Sequence, residues 1–403
     1  MIRFLHAADL HLDTPFKGMA HLPKAYYEEV QNSTFAAFEH LIAHAVAVKP
    51  DFLVIVGDIY DGEHRSLRAQ LKFQEGMQQL QKWDIPVFIT YGNHDHLSGK
   101  WTRFDLPENV HVFSEEVEEK TITIRGETVH LYGFSYAERH IRESKIERYP
   151  NAHTDDIHIG LLHGSIAGDQ AHAVYAPFTK TQLLEKNYHY WALGHIHKRQ
   201  QLHQQPPIVY PGNTQGRHRN ERGLKGFYDV QLSKEETTLQ FIPTSTIVFE
   251  RRTVSCTGIR HAGEWFEACQ KAIEPLTAVR EGAMVELIFT DIDEEAAVLF
   301  QQATETEWLY ALRDSFEGME PFVWIQHIHF KYATVLPSAK HALLQPVFET
   351  MESWTEEEWR DVLKDLYEHP RHMNILEPLT VEQFEEIQEK AQLRLQIELA
   401  NRK

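Results

Sequence analysis

Short apolar runs alternate with longer amphipathic stretches along the first part of the chain. The runs are Ile2–Ala8, Phe52–Val56, Val87–Tyr91, Ile157–Leu162 and Tyr190–Leu193. Their length and β-branched content predict buried strands. Between the early runs, Tyr26–Val48 and Arg65–Trp83 carry apolar residues at the spacing of a helix with one buried face. Strand–helix–strand order predicts an α/β domain with largely parallel pairing in its first half. The shorter pieces Lys120–Ile124, Thr128–Gly133, Ile208–Tyr210, Gly226–Leu232 and Thr238–Ile242 predict a second, more antiparallel sheet packed against the first.

The texture changes near Ile247. A strand (Ile247–Ser255), helix (His261–Ile273), strand (Met284–Thr290), helix (Glu294–Phe316) and strand (Phe322–Tyr332) come in order, enough for a small separate α/β unit. Beyond Leu336-Pro337 the chain reads as helices, with 14 acidic and 7 basic residues over 341–403. There Phe384, Ile387, Ala391 and Leu395 form an apolar stripe at helical spacing, of the kind usually packed against its own chain. The expected division is 1–245, 246–336 and 337–403. A length of 403 residues agrees with two or three domains at roughly 150 residues each.

The chemistry lies at the carboxyl end of each strand of the first domain. Ile2–Ala8 leads into Asp9-Leu10-His11, Phe52–Val56 into Gly57-Asp58-Ile59-Tyr60-Asp61, and Val87–Tyr91 into Gly92-Asn93-His94-Asp95. Ile157–Leu162 leads into His163-Gly164, and Tyr190–Leu193 into Gly194-His195-Ile196-His197. Five strands thus deliver Asp, Asn or His at the edge where open α/β sheets place their sites. Asp9, His11, Asp58, Asn93, His163, His195 and His197 are oxygen and nitrogen donors suited to Mn, Fe, Zn or Ni. One metal would be over-supplied by such a set; two sharing Asp58 would each receive four protein groups. A pair of cations roughly 3.5–4 Å apart is a device for phosphoester hydrolysis. His94 is then placed for proton transfer or phosphoryl stabilisation, with Asp95 expected to fix its tautomer and Asp61 to partner a ligating histidine. Any one motif arises by chance or as a turn; five in order, each after its own strand, do not.

Composition adjusts this picture in two ways. Apolar residues at 42% and charged residues at 25% exclude wholesale disorder and fibrous repeats. No run reaches the 18 or so apolar residues of a membrane span. Asp9 and Asp13 stand where a secretory leader would be apolar, and Cys256 and Cys269 have no metal-type spacing, so a cytoplasmic protein with reduced thiols is expected. The charge is less accommodating: 40 basic against 59 acidic residues give −19, which repels polyanions at long range. One island opposes it. Arg217, Arg219, Arg222 and Lys225 against Glu221 make Arg217–Lys225 net +3, suited to phosphate contacts or else to a solvated loop or an internal salt-bridge cluster.

The ordered set DxH, GDxxD, GNHD, H and GHxH resembles the calcineurin-like metallophosphoesterase superfamily. The opening HAADLHLDTPF is similar to that of a bacterial branch of SbcD-type DNA-repair exonucleases. The motifs run from Asp9 to His197, about half the chain. The resemblance implies a four-layer α/β/β/α sandwich, a small α/β capping domain at 246–336 and a helical C-terminal region. It implies two divalent ions, usually Mn²⁺, one on Asp9, His11, Asp58 and His197 and the other on Asp58, Asn93, His163 and His195. His94 becomes the catalytic histidine, Arg217, Arg219, Arg222 and Lys225 a DNA-binding loop, and DNA the substrate. It further implies an SMC-like ABC ATPase partner on the C-terminal helices, and a homodimer through Tyr26–Val48 and Arg65–Trp83. The metal centre alone does not choose a substrate. A small-substrate phosphodiesterase or phosphatase, or a scaffold subunit with a structural metal site, are the alternative readings.

With one basic loop in an acidic chain, DNA binding by the isolated protein is expected to be weak and steeply salt-sensitive. Fluorescence anisotropy of labelled duplex across a salt series checks this; tight binding that survives high salt contradicts it.

Overall fold

The computed structural model describes residues 1–19, 21–62, 66–98, 104–167, 175–278, 282–332, 345–350, 353–362, 364, 387 and 391. The first sheet comprises β1 (Ile2–Ala8), β2 (Phe52–Val56), β3 (Val87–Thr90), β4 (Val110–Val112), β11 (Gly226–Leu232) and β12 (Thr237–Pro243). Its order is β12-β11-β1-β2-β3-β4. Strands β1 to β4 run parallel, while β11 and β12 close one edge antiparallel. The second sheet comprises β5 (Glu118–Ile124), β6 (Glu127–Gly133), β7 (Ile157–His163), β8 (Tyr190–Gly194), β9 (Gln200–Gln204) and β10 (Pro207–Tyr210), in the order β5-β6-β7-β8-β10-β9. Its interior strands β6, β7, β8 and β10 are parallel, with antiparallel β5 and β9 at the edges.

The expectation of a second sheet more antiparallel than the first is therefore corrected: each has three parallel and two antiparallel pairings. Gly226–Leu232 and Thr237–Pro243 join the first sheet beside β1, and the strands that end in His163 and Gly194 belong to the second. The assignment depends on pairings across more than 200 residues, such as Phe4 with Val230, which no local pattern carries.

Alternation along each strand builds the layers. Phe4, Phe52, Val54 and Phe88 point inward to meet Val129, Leu131, Ile159, Leu161, Tyr190 and Ala192 of the second sheet. Their neighbours Leu5, Leu53, Ile55 and Ile89 face outward onto α1 (Lys24–Val48) and α2 (Leu67–Gln81), through Phe38, Leu41, Phe73 and Met77. On the far side Tyr132, Leu162, Trp191 and Ile208 pack with Leu183 of α3 (Lys180–Glu185). Helix α2 starts two residues later than its periodicity predicts because Ser66 Oγ accepts a hydrogen bond from Ala69 N at 2.9 Å and caps it.

Three further strands, β13 (Ile247–Ser255), β14 (Gly282–Ile292) and β15 (Phe322–Tyr332), form a separate sheet, with α4 (Ala262–Ile273), α5 (Glu294–Phe300) and α6 (Glu305–Ser315) between them. The single helix expected over Glu294–Phe316 is two. Thr304-Glu305-Thr306-Glu307 matches a capping-box pattern, which starts a new helix rather than continuing the old one. The chain divides into two compact units: Met1–Arg252 with Cys269–Leu287 and Glu305–Ile328, and Thr253–Ala268 with Ile288–Thr304 and His329–Lys403. Within the second unit, Trp265, Phe289, Phe300 and Phe330 form an aromatic cluster with ring centroids 4.7–6.3 Å apart. In the expected helical region, 345–350 and Glu356–Val362 are helical; Phe384, Leu395 and most of 363–403 lie outside the described residues. No helix among the described residues is long and apolar enough to cross a membrane.

Asp229 on β11 ties the first sheet together. It accepts from Arg3 Nε at 3.0 Å, Arg3 Nη2 at 2.7 Å and His44 Nε2 at 3.1 Å. Burial alone would raise its carboxyl, but His44 and Arg3 hold it down to about 2 from an ordinary 3.8. Its contribution to stability is thus complete above pH 3.8 and is lost as pH falls from there towards about 2. Asp229→Ala is expected to cost about 1–3 kcal/mol at neutral pH, read by urea unfolding, and the cost is expected to shrink as pH falls from 3.8 towards about 2.

Candidate metal centre

The carboxyl ends of β1, β2, β3, β7 and β8 meet at one edge of the sandwich. The loops after β1 and β2 run side by side, with Asp9 N donating to Gly57 O at 3.2 Å, His11 N to Asp58 O at 3.0 Å and Leu12 N to Ile59 O at 2.9 Å. Asp9, His11, Asp58 and His195 adopt left-handed φ values of 52°, 44°, 49° and 97°. Such conformations are sparsely populated by residues with a Cβ and persist where surrounding contacts over-determine them. Here the contacts are visible: Asp9 Oδ1 accepts from His195 N at 3.0 Å, and Asp58 Oδ1 from His94 N at 2.9 Å.

Two groups of donors result. One ligand atom each from Asp9, His11, Asp58 and His197 lies within 4.8 Å of the others. Beside them, Asn93 Oδ1 lies 3.0 Å from His163 Nε2 and 3.2 Å from His195 Nδ1. Asp58 faces both groups, its Oδ2 being 3.4 Å from His163 Nε2 and 3.7 Å from His11 Nε2. All seven residues expected as ligands are thus brought together.

Their surroundings fix which nitrogen is offered. His163 Nδ1 is 3.1 Å from Val56 O, a partner that only accepts, so it carries the proton there and Nε2 faces the centre. His197 Nδ1 is 2.6 Å from Glu221 Oε1, which leaves Nε2 at 3.0 Å from His11 Nε2. His11 Nδ1 lies 3.4 Å from Asp61 Oδ1. Glycines make the closeness feasible. A Cβ on Gly57 would sit 2.0 Å from His163 Nδ1, and one on Gly92 would sit 2.3 Å from Asp58 Oδ1.

The donor chemistry fits divalent metal. Asp9 and Asp58 are at most 1% exposed. Burial pushes the Asp9 carboxyl up to about 6, while His163 beside Asp58 holds that carboxyl low against its own burial. Burial, with Arg217 adding to it, brings His11 down to about 3, so its imidazole is neutral at physiological pH. Buried carboxylates among imidazoles need positive charge, and cations supply it where protons do so only in part.

Two expected roles are reassigned. The carboxylate facing His94 is Asp61, 3.5 Å from His94 Nδ1, rather than Asp95. Asp95 accepts from Ile59 N at 2.7 Å and Gly92 N at 2.6 Å, tying the loops after β2 and β3. The basic loop does not present four cations alike. Lys225 is 8% exposed and its Nζ donates to His197 O at 3.1 Å. Arg217 lies 3.3 Å from Asp61 Oδ1, 3.1 Å from His197 Nδ1 and 3.5 Å from Glu221 Oε1. Arg222 is exposed, with Glu286 at 3.8 Å, and Arg219 is half-buried. Glu221, the residue sequence reasoning passed over, is 6% exposed and also accepts from Arg217 N at 2.7 Å and Asn213 Nδ2 at 2.8 Å. Burial alone would raise its carboxyl; hydrogen bonds from His197 and His218 hold it well below the usual range. Its only sequence signal was being the one acid in a basic loop.

Comparison with known proteins agrees with this geometry. Residues 2–199 match the calcineurin-like phosphoesterase family. The uncharacterized metallophosphoesterase YhaO of Bacillus subtilis is 36% identical, over 99% of this chain and 98% of that one. The chain therefore belongs to the calcineurin-like metallophosphoesterases, hydrolases that work with divalent metals. More distantly, it is similar to the DNA double-strand break repair protein Mre11 of Thermoplasma acidophilum, 26% identical over 55% of this chain and 61% of that one. The Mre11 of Methanocaldococcus jannaschii is 24% identical over 59% of this chain and 65% of that one. The similarity thus reaches less than two thirds of the length of either archaeal protein.

Glu221→Gln should weaken metal binding by about 10- to 100-fold by freeing the His197 ring, read by equilibrium dialysis with Mn²⁺. Gly57→Ala, with its Cβ driven into His163 and its φ of +76°, should weaken it at least as much. Unchanged affinity in both variants would contradict the arrangement.

Proposed function

We propose that the chain is a metal-dependent DNA exonuclease subunit that hydrolyses phosphodiester bonds and works with an SMC-like ABC ATPase. The observation that carries a hydrolytic rather than a structural role is His94. Its ring stands edge-on to His11 with centroids 5.0 Å apart, and its side chain is 32% exposed beside a donor set that is otherwise largely buried. A structural metal site gains nothing from an accessible imidazole at its rim.

When bound, divalent cations polarise the phosphoryl oxygens and make water a stronger nucleophile. The residues of the chain do the rest. Asp61, which His11, Arg217 and His94 hold ionised at about 2 against its burial, faces His94 Nδ1. A proton kept on Nδ1 leaves Nε2 to deliver or accept the proton that the leaving oxygen requires. Arg217, fixed by Asp61 and Glu221, adds fixed positive charge beside that place. Similarity to proteins named for DNA double-strand break repair supports DNA as the substrate; manganese is inferred from the motif resemblance and from a donor set of carboxylate, amide and imidazole groups.

The inward use of Lys225 and Arg217 favours a second reading, a phosphodiesterase or phosphatase for small substrates. Fewer cations are then left for a nucleic-acid backbone than the sequence promises.

End-labelled single- and double-stranded DNA and p-nitrophenyl phosphate esters, given to metal-stripped protein with Mn²⁺, Mg²⁺ or Zn²⁺ restored, separate the two. Manganese-dependent shortening of DNA from an end supports the exonuclease; cleavage of the small esters alone supports the second reading. His94→Ala should lower kcat about 100- to 10,000-fold with metal content unchanged, whereas Asp58→Ala should lose metal and activity together. Loss of metal from His94→Ala would overturn its assigned role.

A further inference from the structure

We propose a second metal site, separate from the phosphoesterase centre, in which Glu119, His130 and His153 hold a zinc-class divalent cation. One ligand atom from each lies within 4.8 Å of the other two. The site is at the opposite end of the second sheet. His130 on β6 pairs with His158 on β7, and β7 then runs five residues further to reach His163. At about 3.3 Å per residue the two sites are about 16 Å apart.

The cluster is organised for a cation in four respects. His130 is 7% exposed and its ring is stacked on that of His158, with centroids 4.7 Å apart and planes 10° apart, which fixes its orientation. His158 is itself held, with Nδ1 3.0 Å from Tyr132 Oη and Nε2 3.1 Å from Thr154 Oγ1. The two edges of the His130 ring meet different carboxylates, Nδ1 facing Glu119 Oε1 at 2.6 Å and Nε2 facing Asp156 Oδ2 at 3.2 Å. A cation bound by Nδ1 and Glu119 would therefore find Nε2–H already donating to Asp156, the carboxylate–histidine–metal relay that orients metal-binding imidazoles. Finally, His153 stands against the same ring, centroids 5.5 Å apart, and it and Glu119 are exposed, which leaves a path for the ion and a position for water.

Two imidazoles and one carboxylate form a donor set that suits Zn²⁺, Co²⁺ or Ni²⁺ and is poor for Mg²⁺ or Ca²⁺, which prefer all-oxygen surroundings. Its effect would be to clip the β5–β6 hairpin, which supplies Glu119 and His130, to the segment before β7, which supplies His153 and Asp156. No residue of this set belongs to the phosphoesterase centre, so the proposal stands whichever substrate that centre takes.

The test is zinc stoichiometry in the full chain by equilibrium dialysis and elemental analysis, for wild type, His153→Ala, Glu119→Gln and Asp156→Asn. The set is repeated on an Asp58→Ala background that disables the phosphoesterase centre. His153→Ala and Glu119→Gln should each bind one zinc fewer on both backgrounds. Asp156→Asn should weaken that zinc by about 10- to 100-fold. On the wild-type background, hydrolysis of p-nitrophenyl esters should stay unchanged. Equal zinc content in wild type and both ligand variants overturns the site, as does a loss confined to one of them. Loss of ester hydrolysis together with the zinc overturns its separateness.

Discussion

Burying two carboxylates between two β-sheets is the constraint on which the rest of the centre depends. Asp9 and Asp58 stand at the ends of strands whose side chains fill the apolar sandwich, and both are shielded from water. Their charge has to be met locally, and every neighbouring feature serves that need. Four imidazoles converge, backbone N–H groups of His94 and His195 donate to the carboxylates, and the loops after β1 and β2 adopt left-handed backbone to bring them there. The strain is tolerable because hydrogen bonds across the two loops leave little alternative.

Orientation comes from a ring of residues around the donors. Val56 O and Glu221 set the tautomers of His163 and His197, while Asp61 faces His11 and His94 together. That shared carboxylate couples a residue expected to hold metal to the one expected to handle the proton. Arg217 bridges Asp61 and Glu221, so the basic loop after β10 acts first as part of the scaffold of the centre.

Much of this was legible in the sequence because strand ends and glycines are local features. The bounds of β1 and β2 can be read from apolar runs alone, and the seven donors from the residues just beyond five such runs. Pairing was not legible. β11 and β12 look like any short strands, and only contact with β1 puts them in the first sheet. Roles of neighbours were also hidden. Asp95 is adjacent to His94 in the chain, yet it turns to the amides of Ile59 and Gly92, while Asp61 arrives from another strand. Charge counting notices Glu221 but not its role, because its partners His197 and Asn213 are brought to it by folding.

The central proposal is that these strand ends would hold two divalent cations that share Asp58. Crystals grown with manganese and measured on both sides of its absorption edge test this directly. The account predicts two anomalous peaks roughly 3.5–4 Å apart, with Asp58 between them, Asp9, His11 and His197 on one, and Asn93, His163 and His195 on the other. A single peak, or two that do not share Asp58, would contradict it.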